Sequence, residues 1–206
     1  MPIPLAQSVH GPQTIEFTVN PNGRYGFLSN YAHSPLQIPY CYNDRLILIH
    51  TQSVEAEIQA VKYDALPTDN VETQKLKTLL QHAIRSASTA MEASMLGRDD
   101  ARCHDVMMSC RVHKTLQPFR QGMVRPRHDW NQIQDACMVF LLRKKFEFGH
   151  FRAQLLRTGD ARLVFHCPRD LYWGTNHGAG ENRLGEMLMA IRMEIRYELH
   201  EEAQQK

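Results

Sequence analysis

Asp170 and Trp173 stand three positions apart in the segment DLYWG, just after a short apolar run that ends at Cys167-Pro168. An acid and a large aromatic ring in a turn are less easily explained by packing than the same pair in a helix, although Trp173 could also be a core residue. A carboxylate can stabilise a developing positive charge, and an indole can stack on a planar ligand. This turn is therefore the first candidate for a functional site.

A glycine-bearing loop follows the turn and leads into a predicted helix. Gly178 and Gly180 would let the backbone approach a ligand closely, and Asn182 is a suitable N-cap residue for the helix. Free N–H groups at such a helix start, with Arg183 beside them, suit an anion such as a phosphate. The alternative is a loop that only connects a strand to a helix, because the full dinucleotide-binding pattern also needs a downstream acid and a βαβ unit.

An acid, an amide and an amine recur at helical spacing in the first half of the chain, at Glu55, Gln59 and Lys62. They border the apolar positions of the same predicted helix and could lie at the rim of a cleft. Partial burial there would raise the pKa of Glu55 or lower the pKa of Lys62. The alternative is an ordinary solvated helix surface.

Two other segments could contact a ligand. The segment YGFLSNY at residues 25–31 could line a pocket with Asn30, whose amide both donates and accepts, or it could be a loop pinned by its two tyrosines. A basic cluster could contact phosphates of a nucleic acid or form a solvated loop. Its residues are Arg120, Arg125, Arg127 and His128.

The composition limits the class of protein. The chain has 206 residues, of which 43% are hydrophobic and 22% charged, as in an ordinary globular domain. A net charge of +2 does not mark a dedicated nucleic-acid-binding protein. Five cysteines without a CxxC pair and eleven histidines without ligand spacing favour neither a disulfide framework nor a metal site. Without a membrane-spanning run or a signal-like N-terminus, we expect a protein that is intracellular and cytoplasmic, with no membrane partner.

The pattern of apolar residues predicts a mainly α fold with a few short β-strands, of the α+β class, without the βαβ alternation of a dinucleotide-binding fold. Strands are predicted at residues 15–19, 46–49 and 163–166. Helices are predicted after the caps Ser53, Asp69, Asp129 and Asn182, around residues 89–96, near residues 106–113, and after Gly149. We expect a single domain over residues 15–198, a flexible N-terminus at 1–14 and a loose C-terminal tail at 199–206.

With these segments in place, the chain resembles the NADAR family, also called YbiA-like. The resemblance spans about residues 15 to 196, and its last block is the most specific. The matching residues are Tyr25-Gly26, Ser29-Asn30, Ser53-Val54-Glu55, Gln59, Lys62-Tyr63, Leu96-Gly97-Arg98, Trp130, Lys145-Phe146, Leu155-Leu156-x-Thr158-Gly159-Asp160, Asp170-x-x-Trp173-Gly174, and Gly178-x-Gly180-x-Asn182-Arg183-Leu184-Gly185-x-x-Leu188-Met189-x-x-Arg192.

The resemblance implies a YbiA-like, mainly helical fold and an N-glycosidase that hydrolyses a ribosyl N-glycosidic bond, without a cofactor or metal. Its implied ligand is an ADP-ribose or phosphoribosyl group. The implied substrate is ADP-ribose attached to guanine bases of DNA or RNA, or alternatively a phosphoribosylamino-pyrimidine of riboflavin biosynthesis. The implied catalytic residues are Glu55, Lys62 and Asp170. The implied substrate-binding residues are Asn30, Tyr31, Gln59, Arg98, Trp130, Trp173, Gly174, Gly178, Gly180, Asn182 and Arg183.

Cleavage of such a bond builds positive charge at C1′ of the ribose, so a carboxylate near that carbon and a proton donor near the leaving base are expected. Asp170 or Glu55 would take the electrostatic role, and Trp173 or Tyr31 would stack on a base. Lys62 would either bind a phosphate or ring oxygen as a cation or, with a lowered pKa, capture the ring-opened ribose as a Schiff base.

One position departs from the family pattern in a way that bears on catalysis. The strand before the DLYWG segment usually ends in Glu in the family, and Phe165 stands there in this chain. This departure motivates a third hypothesis from a different class, a non-catalytic sensor that binds ADP-ribose or NAD.

Overall fold

Six α-helices and four short strands make up the part of the chain that the computed structural model describes, which is residues 13–42, 45–98 and 124–205. The predicted α+β class is confirmed. The helices are α1 (Val54–Val61), α2 (Val71–Arg85), α3 (Ala90–Leu96), α4 (Trp130–Phe146), α5 (Gly149–Arg157) and α6 (Arg183–Gln204). No helix among these described residues is both long enough and apolar enough to cross a membrane.

The strands form two separate two-stranded sheets. Strand β1 (Thr14–Phe17) runs parallel to β4 (Arg162–Phe165), with Ile15 opposite Leu163 and Phe17 opposite Phe165. Strands β2 (Leu36–Tyr42) and β3 (Arg45–Thr51) form an antiparallel hairpin. The parallel pair brings the beginning of the described chain against the strand that precedes the DLYWG turn.

Helix α1 is buried on almost every side because it lies between two hydrophobic clusters. Val54 and Ile58 belong to the larger cluster, which includes residues of β1, β4, α4, α5 and α6. Ala56 and Ala60 belong to the smaller cluster, with residues of α2 and α3. The helix starts as predicted, because the Ser53 hydroxyl accepts a hydrogen bond from the Ala56 N–H at 3.1 Å.

One predicted helix cap, Asp69, is wrong, and another, Asp129, holds the N-cap position without a side-chain cap bond. At α2 the cap is Asn70, whose Oδ1 accepts from the Thr73 N–H at 2.8 Å, because the Asp69 carboxylate is occupied by the Leu66 N–H and Lys77 Nζ, each at 2.8 Å. Asp129 precedes α4 but makes no cap bond, because its carboxylate pairs with the Arg127 guanidinium.

Both ends of the predicted domain differ from the prediction. Residues 199–204 are not a loose tail, because they form the last turns of α6. Thr14 belongs to β1 and not to the predicted flexible N-terminus, of which residues 1–12 lie outside the described part. The helix predicted near residues 106–113 also lies outside it, as do residues 120–123 of the basic cluster.

Candidate active site

A pocket of about 740 Å³ lies where α1, the end of α3, the start of α4 and the DLYWG turn meet. Nine of the predicted site residues line it, which are Asn30, Tyr31, Glu55, Gln59, Lys62, Arg98, Trp130, Asp170 and Trp173. The structure therefore brings the Glu/Gln/Lys stripe of α1 together with the acid and the aromatic ring of the turn. Helical spacing explains the first group, and only the tertiary fold joins it to the second.

Glu55 is a buried acid within a hydrogen-bond network. Its side chain accepts a hydrogen bond from Gln59 Nε2 at 3.0 Å, and the hydroxyls of Tyr31 and Ser94 also hydrogen-bond to it. The Tyr31 hydroxyl in turn donates to Ser94 Oγ at 2.7 Å. Burial raises the pKa of the Glu55 carboxyl, and the negative charge of Asp170 raises it further against the opposing effect of the hydrogen bonds.

Burial, followed by the charge of Glu55, also raises the pKa of the Tyr31 phenol. Tyr31 therefore keeps its proton over the ordinary pH range and serves as a neutral hydrogen-bond donor. The more acidic proton of this network is then the one on Glu55.

Cationic groups lie on the same pocket. Lys62 Nζ donates to the carbonyl oxygen of Gly97 at 2.9 Å, and the Tyr63 hydroxyl donates to the same oxygen at 3.2 Å. Arg98 follows directly and lines the pocket, together with Arg169 from the segment after β4. The pocket thus combines two acids with three positive side chains.

The DLYWG turn is fixed by its own acid. Asp170 Oδ1 accepts from the N–H groups of Tyr172 at 3.2 Å and Trp173 at 3.0 Å. The Tyr172 ring meets the Trp173 ring edge-on, with centroids 5.0 Å apart, and the Tyr172 hydroxyl bonds Asp135 at 2.5 Å. The Asp170 carboxylate and the indole are therefore held in a set orientation towards the pocket.

Asn30 reaches the pocket from the loop before β2. Its Nδ2 contacts the sulfur of Met138 at 3.4 Å, and its backbone carbonyl accepts from the Glu55 N–H at 3.0 Å. Two buried amide oxygens beside the pocket, Asn30 Oδ1 and Gln59 Oε1, have no hydrogen-bond partner within the described residues. Unpaired buried acceptors are costly, and they are found where a ligand or water completes the bonding.

The glycine loop and Asn182 do not reach this pocket, which differs from the predicted arrangement. Gly178, Gly180 and Asn182 line a separate depression beside the β1/β4 pair. The Asn182 carboxamide is turned towards β4, where it accepts from the Phe165 N–H and donates to the Leu163 carbonyl, both at 2.9 Å. Its φ of 53° places it in the left-handed region, and its side chain makes no cap bond.

The predicted phosphate site at the start of α6 is wrong for a related reason. The N–H groups of residues 181–184 donate to carbonyl oxygens of the DLYWG turn at 2.7 to 3.3 Å, so they are not available to an anion. Arg183 pairs with Asp135 outside the pocket. Gly174 has a packing role, because an added Cβ would lie 2.8 Å from the Phe165 carbonyl oxygen.

One residue of the basic cluster, Arg127, is engaged in ion pairs with aspartates. Arg127 bonds Asp129 through its Nε at 2.6 Å, and its Nη1 lies 3.7 Å from an oxygen of Asp64. Its backbone N–H also donates to the Lys62 carbonyl at 2.9 Å. Arg127 therefore holds the segment before α4 against the end of α1.

Ten pocket residues are not among the predicted catalytic and substrate-binding residues. They are Val19, Ile58, Ser94, Asn131, Gln134, Met138, Phe165, Cys167, Arg169 and Tyr172. Gln134 and Met138 could have been found, because they continue the helical spacing that starts at Trp130. Ser94 gave no signal, since a lone serine within a helix is typical of many surfaces.

Phe165 gives the pocket an apolar side. Its ring is buried and stacks on Phe17, with centroids 5.2 Å apart and planes 28° apart. No carboxylate stands at this position, so the acids that line the pocket are Glu55 and Asp170.

Known proteins resemble this chain over most of its length. The NADAR domain family model matches residues 17–196. The solved NMR structure of the Escherichia coli protein YbiA aligns with a TM-score of 0.61 at 27% identity, covering 98% of this chain and 96% of that one.

Curated relatives match over shorter stretches. The N-glycosidase YbiA of E. coli is 35% identical over 117 residues, which are 56% of this chain and 59% of that protein. A riboflavin biosynthesis protein of Vibrio vulnificus is 36% identical over 102 residues, which are 47% of this chain and 27% of that protein. An N-glycosidase of Nostoc punctiforme is 34% identical over 115 residues, 55% of this chain and 60% of that one. Because the family model matches most of its residues, this chain belongs to the NADAR domain family.

Proposed function

We propose that this chain is an N-glycosidase that hydrolyses a ribosyl N-glycosidic bond, and that it removes ADP-ribose from guanine bases of DNA or RNA. The observation that carries the proposal is the pair of unlike acids on one pocket, a buried Glu55 with a raised pKa and an Asp170 fixed by its turn. The names of the E. coli and N. punctiforme relatives support the reaction class.

The two acids suit the two halves of the reaction. Departure of the base leaves positive charge on the ribose, and the Asp170 carboxylate can stabilise that charge while water attacks. A leaving base departs more easily when it is protonated, and a carboxyl with a raised pKa keeps its proton to a higher pH than an ordinary one. Glu55 is accordingly assigned as the general acid and Asp170 as the electrostatic stabiliser.

The remaining pocket residues suit a nucleotide-like ligand. Tyr31, Trp130 and Trp173 offer aromatic surface for a base. Lys62, Arg98 and Arg169 can bind the phosphates of an ADP-ribose or phosphoribosyl group. The unpaired oxygens of Asn30 and Gln59 are acceptors suited to ribose hydroxyls or base amino groups.

Lys62 is assigned as a cation that holds a phosphate or the ring oxygen, because the Gly97 carbonyl already fixes its ammonium group. The competing role is a Schiff base with the ring-opened ribose. Borohydride added during turnover distinguishes them. We expect no trapped adduct by mass spectrometry, whereas an adduct that disappears in Lys62→Arg would establish the covalent route.

A second candidate substrate is a phosphoribosylamino-pyrimidine of riboflavin biosynthesis. The riboflavin biosynthesis protein of V. vulnificus among the relatives favours it. This substrate shares the ribosyl bond and the phosphate with the first, so the same acids would serve. What differs is the leaving base and the length of the ligand beyond the ribose.

The deciding experiment measures release of the base from both substrates by the wild type and by Glu55→Gln, Asp170→Asn and Glu202→Gln. Asp170→Asn keeps the Oδ1 acceptor of the turn, and Glu202→Gln changes an exposed acid of α6 as a matched control. We expect both pocket variants to lose about 100-fold or more in kcat and the control to match the wild type. Tight binding of ADP-ribose without turnover of either substrate would instead identify the sensor motivated by Phe165.

A further inference from the structure

Gly97 stands at a point where two helices come unusually close. It follows the last residue of α3, and its backbone has φ −80° and ψ −2°, which any residue can adopt. The backbone conformation therefore gives no reason for glycine at this position. The reason lies across the interface, on α1.

An added Cβ at Gly97 would collide with Gln59. It would lie 2.3 Å from Gln59 Oε1, 2.6 Å from Gln59 Cβ and 2.9 Å from Gln59 Cδ. Rotation of the Gln59 side chain could move the two outer atoms but not its Cβ, which is fixed to the α1 backbone. A methyl group at Gly97 would therefore push α3 away from α1.

The contacts between α1 and α3 hold together the hydrogen-bond network around Glu55. Across this interface the Gly97 carbonyl accepts from Lys62 Nζ at 2.9 Å, and Ser94 of α3 hydrogen-bonds to Glu55. Ser94 also accepts from the hydroxyl of Tyr31, on the loop before β2, at 2.7 Å. Gln59, which packs flat on Gly97, donates to Glu55 at 3.0 Å. Glu55 and Gln59 of α1, and Lys62 at its C-terminal end, thus depend on the distance to α3.

We infer that Gly97 is a positioning residue of the site, whose missing side chain sets the close approach of α3 to α1 and so holds Glu55, Gln59 and Lys62 in their working arrangement. This inference rests on the proposed function for its kinetic consequence. Its structural consequence, the environment of Glu55, is independent of any substrate.

The test compares Gly97→Ala with the wild type and with Gly149→Ala. Gly149 begins α5, and an added Cβ there meets no described atom within 4 Å, so this variant is the matched control. We expect Gly97→Ala to lower kcat about 100-fold, as misplacement of catalytic groups by about 1 Å does, while Gly149→Ala retains wild-type kcat. NMR titration of the Glu55 carboxyl should show its pKa moving down towards the ordinary value, because the separated helices admit water.

Repeating Gly97→Ala in a chain that also carries Gln59→Gly tests whether the collision with Gln59 causes the loss of kcat. Gln59→Gly removes the three atoms that the new methyl would approach most closely, so Gly97→Ala should cause no further loss of kcat and no further pKa change in that background. If Gly97→Ala alone does not fold, the double variant should fold as Gln59→Gly does. A wild-type kcat and Glu55 titration in Gly97→Ala, or an equal loss in both backgrounds, overturns the inference.

The outcomes also separate this inference from the proposed function. A wild type that releases no base from any ribosyl substrate defeats the proposed function. The Glu55 titration in Gly97→Ala would still test the role of Gly97.

Discussion

Glu55 is a carboxyl group that the fold keeps nearly out of water, with 7% of its surface exposed. Its partners are an amide and two hydroxyls, none of which carries a charge that would favour ionisation. The raised pKa is thus the balance of a large desolvation cost and smaller hydrogen-bond gains. The same burial that makes Glu55 a suitable acid makes it a burden on stability once it is ionised.

Replacing Glu55 with Gln should separate these two effects. We expect kcat to fall by about 100- to 10,000-fold, because the amide cannot supply the proton. The raised folded-state pKa means that the contribution of Glu55 to stability is present at low pH and lost as pH rises through that pKa. Glu55→Gln should therefore match the wild type in acid and melt about 2–4 °C higher once the pH has risen above the folded-state pKa of Glu55.

Thermal unfolding is followed by circular dichroism over a pH range that extends from acid to alkaline. It checks the stability part of this prediction. Glu202→Gln again serves as the control, since Glu202 is exposed on α6. An equal Tm difference at all pH values would mean that Glu55 titrates alike in the folded and unfolded states.

At the scale of elements, α4 supports the loop that carries Asn30. Lys145 of α4 is fully buried, and its Nζ donates to the Ser29 carbonyl at 2.7 Å. The ammonium also lies 5.5 Å from the ring centre of Phe146 and 5.1 Å from that of Phe151. Burial lowers its pKa to about 7, with no carboxylate among the described residues to offset that effect.

Because the Lys145 amine is buried, the free energy of unfolding should depend on pH between neutral and alkaline values. The unfolded chain holds the Lys145 proton up to its ordinary pKa of 10.5, whereas the folded chain releases it from about 7. The free energy of unfolding should therefore rise with pH across that interval, by about 5 kcal/mol more in the wild type than in Lys145→Met. Urea titrations between neutral and alkaline pH measure the difference, with Lys144→Met as the control on the same helix.

A pH-independent difference between wild type and Lys145→Met would contradict the lowered pKa. Either result bears on the site, because Ser29 is the neighbour of Asn30 and the Asn30 carbonyl meets the start of α1.

A separate prediction concerns Asn182, the residue that precedes α6. Asn182 joins β4 to α6 through two buried hydrogen bonds of its carboxamide. Asn182→Ala should therefore cost about 2–4 kcal/mol, because it leaves a buried N–H and a buried carbonyl unpaired and keeps a left-handed backbone without the asparagine side chain. Chemical denaturation measures this loss.

Asn182→Asp is the second variant, because it keeps the acceptor for the Phe165 N–H but sets a carboxylate oxygen against the Leu163 carbonyl, so it should also lose stability. Below the melting range, KM for the substrate should be unchanged in both variants. A large rise in KM without loss of stability would restore Asn182 to the substrate-binding residues.

At the scale of the whole molecule, charge does not favour tight binding of a long polyanion. The net charge is +2, and Arg127 of the basic cluster is bound to aspartates. If the substrate is an ADP-ribosylated oligonucleotide, a few phosphate contacts beyond the pocket are expected. A logarithmic plot of kcat/KM against salt should then have a slope of about −1 to −3.

The same assay with an ADP-ribosylated nucleoside supplies the comparison, since it lacks the strand. Equal slopes for the two substrates would place recognition in the pocket alone. A slope much steeper than −3 would indicate a larger nucleic-acid contact than these charges suggest.

The sequence by itself determined the helical, α+β character of the chain, the start of α1 at Ser53 and the common face of Glu55, Gln59 and Lys62. These features follow from apolar periodicity, local capping and helical spacing, which act between residues a few positions apart. The family resemblance brought the DLYWG turn into the same site, and the structure agrees with that placement.

Only the tertiary structure decided which polar groups remain available to a ligand. Asn182 and the start of α6 looked suited to a phosphate, but their hydrogen bonds are consumed by β4 and by the DLYWG turn. Asp129 likewise pairs with Arg127 instead of capping α4. A buried donor or acceptor bonds whatever the fold packs against it, and that neighbour comes from a distant part of the chain.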